Sequence, residues 1–138
     1  MKIDHLGIAT FSISESEKMY QRLLGHTCYH YEEIPDQGVK VGFIQLGDQK
    51  LELLEPLEDS GPIYKFLEKR GQGVHHVAYK VDNIQEELDR LERDGFRLID
   101  KTPRKGALGK WVAFVHPKST DGVLTELCAD PKMIEDGD

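Results

Sequence analysis

A short β-patterned run at residues 3–10, "IDHLGIAT", is followed by apolar residues at helical spacing, Ile13, Tyr20, Leu23 and Leu24. The same order returns later, where "VHHVAYKV" precedes Ile84, Leu88 and Leu91. Ser14-Glu-Ser-Glu17 reads as a capping box at the first helix, and Asn83-Ile-Gln-Glu86 as a related start to the second. Gly25 and Gly95 read as the stops. After each helix come further strands. "VGFIQLGDQKLELLEP" predicts two strands joined by a tight turn at Gly47-Asp48, and "WVAFVHPKSTDGVLTELCAD" the same hairpin with a longer loop.

The chain is therefore an internal repeat. His5 falls on His76, Ile13 on Ile84, Phe43 on Phe114 and Glu52 on Glu126. His5 precedes Glu52 by 47 residues, and His76 precedes Glu126 by 50. The predicted fold class is α+β, a single domain over 1–138 made of two tandem βαβββ modules that form one curved mixed sheet. Module one covers about 2–56 and module two about 73–130. A linker at about 57–72 carries a short helix at Pro62 to Arg70. A polar tail at 131–138 is expected to fray.

The repeat brings chemistry with it. Successive strand residues face opposite sides, so of the adjacent His75 and His76 only one faces a common site. The repeat selects His76. If the first and last strands of each module are neighbours, each module contributes one His and one Glu to an inner face. The combined His5, Glu52, His76, Glu126 set suits one divalent transition metal, with Co, Ni, Zn and Mn all compatible. Such a metal polarises a carbonyl and stabilises an enolate, and a weakly held carboxylate serves as base. The competing reading is plain: a Glu between leucines on a half-exposed strand is most often the solvent face.

Composition narrows the partners. The net charge of −7 argues against nucleic acid. No apolar run approaches the roughly 18 residues of a membrane span, and the N-terminus lacks a signal-peptide layout, so a cytoplasmic protein is expected. Cys28 and Cys128 fit no metal spacing and are expected to be free, with Cys128 buried.

Several stretches are similar to a known family: "DHLGIA", "PDQGVKVGFIQLG", "KLELLEP", "PIYKFLEKRGQGVHHVAYKVDNI", "GFRLIDKTPRKGA" and "VAFVHPKSTDGVLTEL". The chain resembles the vicinal oxygen chelate superfamily, which includes glyoxalase I, and within it the methylmalonyl-CoA epimerase branch. The resemblance implies a metal held by His5, His76 and Glu126 with Glu52 at the fourth position. It implies inversion at the α-carbon of a 2-methylmalonyl thioester by two bases, assigned here to Glu52 and Glu126, through an enolate. It also implies a homodimer. Gln37, Lys118 and the loop residues Gly106, Ala107 and Leu108 are the candidate substrate contacts, the loop lying over the acid end of the substrate. Lys65, Lys69, Arg70, Arg104, Lys105, Lys110 and Lys118 are the basic residues available to CoA phosphates.

There are departures from the family pattern. Val41 stands where some epimerases carry a Glu base. Leu108 stands where a glycine or small polar residue is usual, Gly61 replaces Ser, and Trp111 adds bulk beside the loop. His26 and His30 are read as surface residues, His75 as packed or hydrogen-bonded, and His116 as a turn residue. The alternatives are a glyoxalase I-like lyase acting on a glutathione hemithioacetal, with the same four ligands, and a non-catalytic small-molecule binding protein of the same fold.

Overall fold

The computed structural model describes residues 1–131, so the predicted tail lies, from 132 onward, outside the described residues. The elements are β1 (Lys2–Ala9), α1 (Ile13–Leu24), β2 (His30–Ile34), β3 (Val39–Leu46), β4 (Gln49–Pro56), α2 (Pro62–Arg70), β5 (Gly73–Lys80), α3 (Ile84–Arg93), β6 (Arg104–Lys105), β7 (Trp111–Val115) and β8 (Thr125–Ala129). This is an α+β chain with the predicted βαβββ order twice over. The linker helix has the predicted bounds.

The residues group into two units, one of 5–75 and one of 1–4 with 76–138. In the first unit the strand order is β2-β3-β4-β1. β1 runs parallel to β4, while β2, β3 and β4 form an antiparallel meander. In the second the order is β5-β8-β7-β6, with β5 parallel to β8 and the rest antiparallel. The predicted neighbourhood of first and last strands is thus present in each unit.

One face of each set of strands packs on its helix. In the first unit, buried Ile13 of α1 meets Ile44 and Leu53, with Ile8, Tyr20, Cys28, Leu46 and Leu51 around them. In the second, Ile84 and Leu88 of α3 meet Ala113, Leu127 and Ala129, flanked by Tyr79, Leu91, Leu98 and Trp111. Each fully buried aliphatic side chain stabilises the fold by roughly 1.5–3 kcal/mol. These contacts fix the phase of every strand. The alternate residues, including His5, Glu52, His76 and Glu126, face the other way.

The helix starts need one correction. α1 is capped by Ser12, whose hydroxyl accepts from the Glu15 N–H at 3.2 Å, so the cap lies two residues before Ser14. Glu17 is engaged elsewhere: its carboxylate accepts from the Cys28 N–H at 2.7 Å and from the Tyr31 hydroxyl. Asn83 caps α3 as predicted, accepting from the Glu86 N–H at 3.1 Å. Gly25 ends α1 in the left-handed region (φ 75°), which costs glycine little. α3 ends one residue before the predicted stop, with Asp94 at the cap and Gly95 following.

Candidate metal and proton-transfer site

β4 contains Lys50, Leu51, Glu52 and Leu53 in succession, and Leu51 and Leu53 belong to the helix-packed cluster. Lys50 and Glu52 therefore share the opposite face. Glu52 lies across the antiparallel ladder from Phe43 and across the parallel ladder from Gly7. His5, two residues before Gly7, is on the same face of β1. Its Nδ1 lies 3.2 Å from Glu52 Oε2.

The second unit repeats this arrangement. Glu126 lies across from Phe114 and from Ala78, and His76 precedes Ala78 by two residues. His76 Nε2 lies 3.3 Å from Glu126 Oε1. Phe114 presents its ring edge-on to His76 at 5.5 Å between centroids. All four polar residues are buried, with relative exposures of 4% for His5, 7% for Glu52, 5% for His76 and 6% for Glu126. A solvent-face reading of the two glutamates is thereby excluded. Burying a carboxylate is costly without a compensating partner, and imidazole nitrogen beside carboxylate oxygen is also the donor set of Co, Ni, Zn and Mn. The residues present thus fit a divalent transition metal.

Val41 is buried on this same face, across the ladder from Glu32. His75 faces elsewhere and meets the Phe66 ring at 5.2 Å. His26 and His30 are exposed, as expected, and His30 also stacks on Phe43 at 5.6 Å. His116 has the predicted turn role, its Nδ1 accepting from the Lys118 N–H at 3.0 Å. Desolvation, with Arg97 and Lys118 nearby, holds the His116 pKa below its ordinary value. Neither Cys28 nor Cys128 is in a disulfide, and Cys128 is buried as expected.

The substrate candidates are placed less closely. Gln37 ends a 3-10 turn before β3, where Val39 faces Pro56, four rungs from the Phe43–Glu52 pair. Lys118 is exposed on the turn after β7. Gly106, Ala107 and Leu108 form the half-buried link from β6 to β7. A Cβ on Gly106 would come within 2.9 Å of Val112, which clusters with Ala78 and Cys128 on the His76–Glu126 face. The loop therefore approaches that face at Gly106. Leu108 sits at φ 59°, a conformation where glycine is the unstrained choice.

Trp111 follows the loop directly, at the start of β7. Its side chain packs with the α3 cluster, and Lys105 lies over its ring at 4.4 Å. It adds no bulk to the His76–Glu126 face. Of the basic residues, Lys65, Lys69, Arg70, Arg104, Lys105 and Lys118 are exposed, whereas Lys110 is tied to buried Asp4 at 3.2 Å. Sequence reasoning overlooked Lys50, which is only 8% exposed and lies across β1 from His5. The signal was its two-residue spacing from Glu52.

Comparisons with known proteins agree with this architecture. A family model described as the Glyoxalase/Bleomycin resistance protein/Dioxygenase superfamily matches residues 4–114. The chain is 47% identical over 131 residues to the uncharacterized protein YqjC of Bacillus subtilis, covering 95% of this chain and 93% of the relative. It is 40% identical over 128 residues to an ethylmalonyl-CoA/methylmalonyl-CoA epimerase of Cereibacter sphaeroides, covering 91% and 96%. Among solved structures, a methylmalonyl-CoA epimerase in complex with methylmalonyl-CoA and NH4+ is similar with a TM-score of 0.90 and 32% identity, each chain being 94% covered.

Proposed function

We propose that this chain, which belongs to the Glyoxalase/Bleomycin resistance protein/Dioxygenase superfamily, is a methylmalonyl-CoA epimerase. The observation that carries the reading is the repeated His–Glu pair: one buried imidazole and one buried carboxylate at equivalent register positions in each unit. Similarity to epimerases over nine-tenths of the chain supplies the substrate class, a 2-methylmalonyl thioester of CoA.

His5, Glu52, His76 and Glu126 would together hold one divalent metal, Co, Ni, Zn or Mn. When bound, it would supply polarisation of the thioester carbonyl, lowering the barrier to losing the neighbouring α-proton. The protein's own contribution is proton transfer. One glutamate takes the α-proton from one face of the substrate, leaving the enolate. The other, protonated and so not at that moment a metal ligand, returns a proton to the opposite face, and the configuration inverts. The repeat suits this task because it supplies two equivalent carboxylates rather than one.

The substrate contacts in this reading are Gly106, Ala107 and Leu108 at the acid end, Lys118 for the CoA phosphates, and Gln37. In this reading the protein is a cytoplasmic homodimer and a single catalytic domain. Among the described residues no helix is long and apolar enough to cross a membrane.

The test is to supply one epimer of 2-methylmalonyl-CoA to metal-loaded protein and follow its stereochemistry. The hemithioacetal of methylglyoxal and glutathione is offered in parallel. Metal-dependent loss of stereochemical purity in the CoA ester supports the proposal. Turnover of the hemithioacetal alone would favour a glyoxalase I-like lyase, and tight binding of the CoA ester without inversion a binding protein.

A further inference from the structure

We infer that the Asp4–Lys110 ion pair is a latch that holds the 106–109 loop in place over the Glu126 face, which makes both residues positioning residues for the thioester. The inference deepens the epimerase reading and rests on it for the ligand and for the loop's contact with that ligand.

Lys110 joins the loop to β7 in an extended conformation, at φ −76° and ψ 157°. Trp111 and Ala113, which follow it, pack with the α3 cluster. Lys110 therefore shares its phase with Val112 and Phe114, which lie across the ladder from Cys128 and Glu126. Its ammonium meets Asp4 Oδ1 at 3.2 Å. Asp4 belongs to the same unit, and its carboxylate lies within 4.8 Å of Cys128 Sγ. The ion pair thus stands at one end of the face that carries Glu126.

The loop has to be held. Leu108 sits in the left-handed region at φ 59°, which is unfavourable for leucine and persists only where the surroundings impose it. Bonds within the loop close it on itself: the Gly106 N–H donates to the Lys110 carbonyl at 2.8 Å, and the Lys110 N–H to the Ala107 carbonyl at 3.2 Å. Those bonds do not fix where the closed loop lies. The close approach of Gly106 to Val112 places one end, and the Lys110 side chain anchors the other to β1. The anchor is sheltered, with side-chain exposures of 18% for Lys110 and 7% for Asp4. Water and salt therefore compete with it less than with a surface ion pair, whose contribution is small.

The experiment reads the loop itself, independently of turnover. Amide hydrogen exchange at 106–110 is followed by mass spectrometry in Co(II)-loaded wild type, Lys110→Met and Lys110→Arg, and each protein is titrated calorimetrically with 2-methylmalonyl-CoA. Lys110→Met should speed exchange of the loop amides roughly 10-fold while β7 and α3 stay protected and cobalt stays bound. It should weaken ligand binding by a similar factor, and in turnover the loss should fall on KM rather than kcat. Lys110→Arg keeps the charge and should restore both. Asp4→Asn removes the other charge and should reproduce Lys110→Met, which keeps the test open should the methionine variant not fold. Unchanged loop exchange in the neutral variants would overturn the inference. So would faster exchange with unchanged binding, or loss of bound cobalt with an unchanged loop, which would assign the pair to support of the metal ligands. If loop exchange depends on the pair but the wild type does not bind 2-methylmalonyl-CoA, the epimerase reading fails and the latch stands.

Discussion

Glu52 lies directly across the β3–β4 ladder from Phe43, and the equivalent rung of the other unit joins Glu126 to Phe114. The aromatic partner occupies the position beside each glutamate. The histidines complete the equivalence, at 3.2 Å and 3.3 Å from their carboxylates. If the two pairs hold one metal, either histidine should be indispensable to it. His5→Ala and His76→Ala are each expected to reduce bound Co(II) from about one per chain to a small fraction by elemental analysis. Chelation of wild-type protein should lower its melting temperature by roughly 10 °C, because a ligand at 100 times its Kd stabilises the folded state by about 2.7 kcal/mol. Retention of metal by both variants would contradict the shared site.

Ser12 and Ser14 make a local test of how α1 begins. Ser12 accepts from the Glu15 N–H, so Ser12→Ala should cost about 1 kcal/mol, read as a lower denaturation midpoint. Ser14→Ala should change stability by less than about 0.5 kcal/mol. The reverse order would restore the Ser14 frame.

Gly106 controls how closely the β6–β7 loop approaches the face bearing Glu126. A methyl group there would meet Val112 Cγ1 at 2.9 Å and Cγ2 at 3.0 Å. Gly106→Ala should therefore destabilise the protein by roughly 1–3 kcal/mol or lift the loop. A lifted loop would raise KM for the thioester more than it lowers kcat. Unchanged stability together with unchanged KM would show that the loop does not close on this face.

Cys28 should be a poor nucleophile. Burial, followed by the negative charge of Glu17, pushes its thiol up to about 11 from an ordinary value of 9.0. The folded state then holds a proton that the unfolded state releases above pH 9. This contribution to stability is complete below pH 9 and is lost as pH rises through about 11. Iodoacetamide at pH 8.5 should label Cys28 far more slowly in folded than in unfolded protein. Equal rates would contradict the shift.

Much of the site was legible because the repeat fixes residue and register together. A glutamate alternating with leucines is ambiguous alone. Matched to a second glutamate at the same distance from a second histidine, it marks the inner face, and Glu52 and Glu126 are indeed buried. The α1 cap was misread because two overlapping frames, Ser12 to Glu15 and Ser14 to Glu17, satisfy the same pattern. The entry to β2 decided between them by engaging Glu17. Which face Trp111 takes was not legible, because it depends on the strand phase after an irregular loop, and only the α3 packing fixes that phase. Lys50 was passed over because lysine on a strand is ordinarily solvated, whereas its neighbours bury this one.

The most direct test of the account is hydrogen exchange at the α-carbon of a single epimer of 2-methylmalonyl-CoA in D2O, followed by NMR for Co(II)-loaded wild type, Glu52→Gln and Glu126→Gln. The wild type should incorporate deuterium with inversion. Each single variant should lose inversion by roughly 10²–10⁴-fold. One variant should still exchange one epimer with retention, and the other variant the opposite epimer, because each keeps the base for one face. Undiminished inversion in either variant would show that the two glutamates are not the proton-transfer pair.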